Sequence, residues 1–244
     1  MLPGEVYPED QLGWTAQFGA ERNVNCWAYG IDISSASPWH SSEWGLKAGT
    51  AISRRHIIFA HHYQIPPGNT IKFIGVDNTT NIFTIVANKS LAGTDITIGL
   101  LSGDLPESVA PANILPPDYC RFIGDARRLP MLFIDNEENA NISDSNSLPY
   151  REMDSDGLVP VDVYRQLYFE EVISGDSGGP KYFVCNNAAI LACALYTYGT
   201  GSSGRGPFVT YYRKRIQAVM DELCPGYTLR EFDLSTFRSL DDEG

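Results

Sequence analysis

Short runs rich in Ile, Val, Phe, Thr and Tyr recur along the first half of the chain, at residues 25–33, 47–53, 56–60, 70–76, 81–87 and 95–101. Most are bounded by Gly, Pro, Asn or Asp, the residues that turn a backbone, so each reads as a β-strand. A second set follows at 131–135, 159–164, 167–169, 181–185, 189–196 and 208–212. Pro106, Pro111, Pro116 and Pro117 separate the two sets and mark the link between two β units. Only one segment has helical spacing. Ile216, Val219, Met220 and Leu223 recur at intervals of three and four, and Cys224-Pro-Gly226 stops them. The pattern therefore predicts an all-β protein, sandwich or barrel, with a C-terminal helix.

Five segments result: a polar N-terminal arm over 1–23, a first β unit over 24–112, a second over 113–212, a helix over 213–224 and an acidic surface tail over 225–244. A length of 244 residues suits one all-β barrel protein or two small barrels sharing a cleft. Residues 135–157, rich in Asp, Glu, Asn and Ser, read as a solvated loop. Asp144, Asp154 and Asp156 lie in it, but their spacing fits no EF-hand, and no metal or other cofactor is expected.

Composition narrows the function classes. A net charge of −12 argues against nucleic acid, whose binding rests on Lys and Arg meeting phosphate, and against anionic membrane surfaces. No run approaches the ~18 apolar residues of a membrane span. The first ten residues lack the basic start and apolar stretch of a signal peptide, which leaves the compartment open. Five cysteines leave at least one thiol without an internal partner. Cys185 and Cys193 flank a hairpin turn at Asn186-Asn187 without facing each other, so they are not expected to pair.

The strongest chemical signal is Gly175-Asp-Ser-Gly-Gly-Pro180. A serine hydroxyl is a weak nucleophile until a base takes its proton, and its attack creates an oxyanion that needs donors. Glycines around Ser177 permit a tight turn in which the N–H groups of Gly175 and Ser177 converge. The hexapeptide resembles the nucleophile motif of trypsin/chymotrypsin-like serine peptidases. Two upstream segments also resemble that family, in its order of His, Asp, Ser. Thr50-Ala-Ile-Ser-Arg-Arg-His-Ile-Ile-Phe-Ala-His-His-Tyr63 is similar to the hairpin ending in the catalytic His, and Thr94-Asp-Ile-Thr-Ile-Gly-Leu-Leu101 to the segment with the Asp.

This resemblance spans about residues 24–224 and implies two packed antiparallel six-stranded β-barrels. It further implies a serine endopeptidase that cleaves a peptide or protein substrate through an acyl-enzyme. His62 would be the base, with His61 in that role if the loop shifts by one residue; Asp95 would orient the imidazole; Ser177 would attack. Gly175 and Ser177 would form the oxyanion hole. Thr197, Tyr198 and Gly199 would line the substrate strand, and Glu171 the base of the primary pocket, where an acid favours Lys or Arg. His40 and His56 read as ordinary histidines.

The chain departs from the family in two places. Tyr63 stands where the family has a disulfide-forming Cys, and no Ile-Val-Gly-Gly tetrapeptide is present to pair with Asp176 after cleavage. Activation by the trypsinogen route is therefore not expected, and Asp176 needs another partner, with Arg127 and Arg128 as candidates. A rival reading is a catalytically inactive homologue serving as a protein-binding module. An α/β-hydrolase esterase is disfavoured, because no helix pattern follows the Ser and no His comes after it.

Overall fold

The computed structural model describes residues 11–16, 21–38, 47–123, 129–145, 152–154, 159–193, 198–200 and 203–237. The fold is mostly β-sheet with a long C-terminal helix. A first five-stranded sheet contains β3 (Thr50–Ala51), β4 (His56–Ala60), β5 (Thr70–Ile74), β6 (Thr80–Ser90) and β7 (Ile96–Leu101), in the spatial order β3-β4-β7-β6-β5. All its pairings are antiparallel.

A second five-stranded sheet is built from β8 (Asn113–Ile114), β9 (Pro130–Ile134), β10 (Ala140–Asp144), β12 (Lys181–Cys185) and β13 (Ala188–Cys193), in the order β10-β9-β12-β13-β8. A three-stranded sheet orders β11 (Glu152–Asp154), β15 (Ser203–Pro207) and β14 (Tyr198–Thr200), and β1 (Thr15–Ala16) pairs with β2 (Glu21–Arg22). The described strands thus group as sheets of five, five, three and two. The half-barrel of the first sheet agrees with an all-β fold.

The two central strands of the first sheet are apolar on both faces. On β4, Ile57 and Phe59 enter a core with Ile71, Phe73, Ile85 and Leu101, inside the first sheet. Ile58 and Ala60, on the opposite face, join Ile96 and Ile98 of β7 in a larger core. That larger core also takes Leu132, Tyr182, Leu191, Ile216 and Met220 from the second half and the helix. Burial on both faces explains why these strands read as continuous apolar runs instead of alternating ones. It also fixes one half of the chain against the other.

Several sequence expectations are corrected. After a short helix α1 at Cys120–Ile123, helix α2 spans Val209–Leu223 and so begins four residues before the predicted 213. The β-rich run 208–212 is its first turn, with Val209 and Thr210 buried against the core, so tertiary packing overrides the local β preference. Residues 25–33 turn repeatedly, with Tyr29 N–H on Cys26 O and Ile31 N–H on Ala28 O, and form no strand. Run 159–164 is likewise not a strand. Asp162 Oδ1 accepts the N–H groups of Tyr164 and Arg165 and leads the chain into a 3₁₀ turn at Arg165–Tyr168.

The described part of the N-terminal segment is not a free arm. Trp14 is 3% exposed, and its N–H bonds to Glu138 O, while Ala140 N–H bonds to Leu12 O. Nor does the described part of the tail stay on the surface: Leu229 and Leu234 are buried, and Phe232 and Phe237 pack against the larger core. The predicted solvated loop contains β10, and Asp135, Glu138, Asn141 and Asp144 are all buried.

Two expectations match. Asn186 and Asn187 both adopt left-handed conformations (φ 49° and 62°), giving the two-residue hairpin turn between β12 and β13. In that register Cys185 pairs with Ala188 and Cys193 with Lys181, so the two residues are not opposite in the ladder. Among the described residues no helix is long and apolar enough to cross a membrane.

Candidate active site

Strand register brings the first two residues of the site together. β4 and β7 pair antiparallel with Ala60 opposite Ile96, so His61 and His62 leave one strand where Asp95 enters the other. The His61 N–H bonds to Asp95 O at 2.9 Å and extends the ladder by one step. A 3₁₀ turn over His61–Tyr63 then swings the two histidines apart. Before Asp95 the chain is held by Thr94, whose hydroxyl donates to Leu91 O and accepts the Ile96 N–H.

Asp95 grips His62 at two points. Its Oδ1 accepts the His62 backbone N–H at 2.9 Å, and its Oδ2 lies 2.7 Å from the His62 Nδ1. The side chain of Asp95 is 12% exposed and that of His62 42%. On the far side of the ring, Nε2 lies 2.9 Å from Ser177 Oγ. Nδ1–H toward the carboxylate leaves Nε2 as the acceptor for the serine proton. His61 turns elsewhere: its Nδ1 lies 2.8 Å from Ser90 Oγ and 3.2 Å from Thr97 Oγ1. Of the two adjacent histidines, only His62 faces both the carboxylate and the serine.

Ser177 sits on a turn that only small residues can make. Gly175 and Gly178 have φ of +118° and +95°, in the region that favours glycine. A Cβ on Gly179 would lie 2.3 Å from Ile134 O, so that position has no room for a side chain. Past Pro180 the chain enters β12, which pairs with β9 through Lys181 and Phe133. The neighbouring Ile134 N–H bonds to Pro180 O at 3.1 Å, tying the turn to β9. Among the described residues, neither the Gly175 nor the Ser177 N–H is bonded to an acceptor. Both are free to meet a developing oxyanion.

Asp176 is the buried carboxylate of this turn, at 1% exposure. Its Oδ2 accepts the Ile173 N–H at 2.7 Å and its Oδ1 the Asn136 N–H at 3.0 Å. Two backbone donors, not a guanidinium, are therefore its observed partners; Arg127 and Arg128 lie outside the described residues. Burial pushes the Asp176 carboxyl above its usual range, and the two N–H donors pull against that shift.

The Asn136 turn has its own buried acid, which sequence reasoning missed. Asp135 Oδ1 accepts the N–H groups of Glu137 and Asn139, and its Oδ2 accepts from Asn141 Nδ2. Glu170 is also close: its Oε2 accepts from Asn139 Nδ2 of the same turn at 3.0 Å. Burial pushes Asp135 up to about 8; the Asn139 and Asn141 donors oppose this, while Glu170 adds to it. The missed signal was the Asp-x-x-x-Asn spacing of a side-chain-closed turn, masked by the polar composition of its surroundings.

The predicted specificity residues are placed unevenly. Glu171 is exposed, not enclosed in a dry pocket. Tyr198 and Gly199 lie on β14, paired with Arg205 and Gly204 of β15. Thr197 and His40 lie outside the described residues. His56 is fully buried with Ser53 Oγ 2.8 Å from its Nδ1, and desolvation lowers its affinity for a proton. It belongs to the packing. Tyr63, where the resemblance leads one to look for a Cys, packs its ring under Lys47 Nζ at 4.9 Å. Compared with known proteins, the chain matches no protein-family model and no curated sequence.

Proposed function

We propose that the chain is a serine endopeptidase of the chymotrypsin-like kind, acting through Ser177, His62 and Asp95 on a fold of two packed six-stranded barrels. The observation that supports this reading is the relay in which one imidazole stands 2.7 Å from a carboxylate and 2.9 Å from a serine hydroxyl. A serine held this way, on a turn with two unbonded backbone N–H groups, is built for acyl transfer.

In the proposed reaction His62 Nε2 takes the Ser177 proton as Oγ bonds to the substrate carbonyl carbon. The carbonyl π electrons move to its oxygen, which the N–H groups of Gly175 and Ser177 receive. Asp95 holds the imidazole in the required tautomer and stabilises the imidazolium. The C–N bond then breaks, and the imidazolium gives its proton to the departing amine. Water enters, loses a proton to His62, and attacks the acyl carbon. Collapse of this second intermediate releases the carboxylic acid, and the proton returns to Ser177 Oγ.

The test is labelling with a fluorophosphonate followed by mass mapping. One adduct on Ser177 is expected, with none on a Ser177→Ala variant. Labelling elsewhere, or persistent labelling of the variant, would overturn the assignment. Failure of the folded wild type to label would favour the binding-module alternative.

A further inference from the structure

A cleft of about 420 Å³ opens where three segments meet: the β3–β4 turn at Ser53 and Arg54, the connection from Pro106 to Pro111, and the stretch after α2 from Gly226 to Arg230. None of its lining residues belongs to the Ser177 site. Its volume falls within the roughly 300–1,000 Å³ of small-molecule sites. Pro106, Val109, Pro111 and Tyr227 supply apolar wall, and Arg54 and Arg230 supply charge.

Backbone hydrogen bonds fix these walls. Leu105 N–H bonds to Arg54 O at 2.7 Å, and Arg54 Nε returns a bond to Leu105 O at 3.0 Å. Arg230 donates from Nη2 to Pro111 O at 2.8 Å, and Ile114 N–H bonds to Arg230 O at 2.9 Å. The Tyr227 hydroxyl donates to Asp104. Each guanidinium is therefore anchored by one carbonyl and keeps other N–H groups uncommitted. Among the described residues no carboxylate lies within 4.0 Å of either, although the chain carries 30 Asp and Glu against 18 Lys and Arg. Arg54 and Arg230 are both exposed to solvent, and both line this one cleft. Held forks of this kind recognise planar oxyanions.

We infer that this cleft binds a small organic anion, with its oxyanion held by Arg54 and Arg230 and its apolar body against Pro106, Val109, Pro111 and Tyr227. Glu107 also lines the cleft and disfavours a second negative charge on the ligand. The proposal is independent of the chemistry at Ser177.

Calorimetry and ligand-observed NMR with four probes of one shape test it: 1-naphthoate, 1-naphthyl phosphate, neutral 1-naphthamide and cationic 1-naphthylmethylamine. Saturable binding of naphthoate is expected, weakening with salt as an ion contact should. Naphthoate is expected to bind more tightly than the phosphate, because Glu107 opposes a second charge and a phosphate monoester is largely dianionic at neutral pH; tighter binding of the phosphate would identify phosphate monoesters as the source of the anion and overturn the role given to Glu107. Arg54→Gln and Arg230→Gln should each weaken the anion about tenfold, the usual worth of one charge-assisted hydrogen bond. Glu107→Gln touches neither anchor and should leave the anion bound equally or more tightly. The proposal is overturned if the amide or amine binds as well as the anions, or if neither anion saturates below about 5 mM. Unchanged binding in the double Arg variant, or weakened binding in Glu107→Gln, would also overturn it.

Discussion

Replacing Asp135 by Asn should make the protein progressively more stable than wild type as the pH rises. Asp135 is 7% exposed, and its carboxyl is pushed up to about 8 in the fold, against an ordinary value of 3.8. The folded state therefore binds this proton more tightly than the unfolded chain does. Between those two values the unfolded chain has lost the proton while the fold still holds it, so stability falls with pH across that window. It is flat below about 4 and has lost its full amount above about 8. One pKa unit is worth about 1.4 kcal/mol, which sets a ceiling of about 6 kcal/mol. Local relaxation and water penetration soften the effect of burying one acid, so a loss of about half that is expected. Asn reproduces the protonated acid: its Oδ1 can keep the Glu137 and Asn139 N–H groups. Asn141, whose Oδ1 has no partner, can rotate its amide to accept from the new NH₂. Urea unfolding of both proteins, followed by tryptophan fluorescence at intervals from pH 4 to 9, reads the difference directly. Subtracting the variant cancels every other titrating group. A difference that stays constant across this range, or one that shrinks as pH rises, would refute the reasoning.

Three further outcomes follow from the site geometry. His62→Gln should lower the fluorophosphonate labelling rate by at least about 10³-fold, whereas His61→Gln, which loses only the Ser90 and Thr97 contacts, should stay within about threefold of wild type. Asp95→Asn should lower kcat on a peptide ester by about 10⁴-fold with KM little changed, because Asn stabilises the wrong tautomer; a loss below tenfold would remove Asp95 from the relay. Gly179→Ala should destabilise the protein by more than about 3 kcal/mol in urea unfolding, because its Cβ would lie 2.3 Å from the Ile134 carbonyl and the backbone must move to admit it.

How much was legible in the sequence depended on how local each feature is. The β4 and β7 runs declared themselves by composition; the roles of His62 and Asp95 came from the family resemblance of these two segments, and the direct pairing of the strands explains why the two residues meet. The Asn186-Asn187 hairpin was equally local. Runs 159–164 and 208–212 failed as strands for different reasons. In the first, Asp162 captures the following backbone N–H groups and closes a turn. In the second, residues of strong β preference are drawn into a helix by burial of Val209 and Thr210 in the core. The described part of the tail was misread because its acidic residues hide Leu229 and Leu234, which are buried in the larger core.

The setting of Asp176 was illegible for a deeper reason. Sequence can say that a buried carboxylate needs a partner, and it then points to charged side chains, because those are visible as letters. Here the partners are backbone N–H groups of Ile173 and Asn136, which every non-proline residue carries. What makes Asn136 available is the closed turn around Asp135, and what closes that turn is a second buried acid. The Ser177 loop thus leans on a carboxyl more than forty residues upstream that makes no hydrogen bond to Ser177. A trypsin-style salt bridge would tie the geometry of this loop to a proteolytic cut. Among the described residues, the Asn136 amide ties it instead to the turn that Asp135 closes. Ionisation of Asp135 above about pH 8 should therefore slow fluorophosphonate labelling in wild type, and Asp135→Asn should abolish that alkaline limb; an alkaline limb unchanged in the variant would refute the coupling.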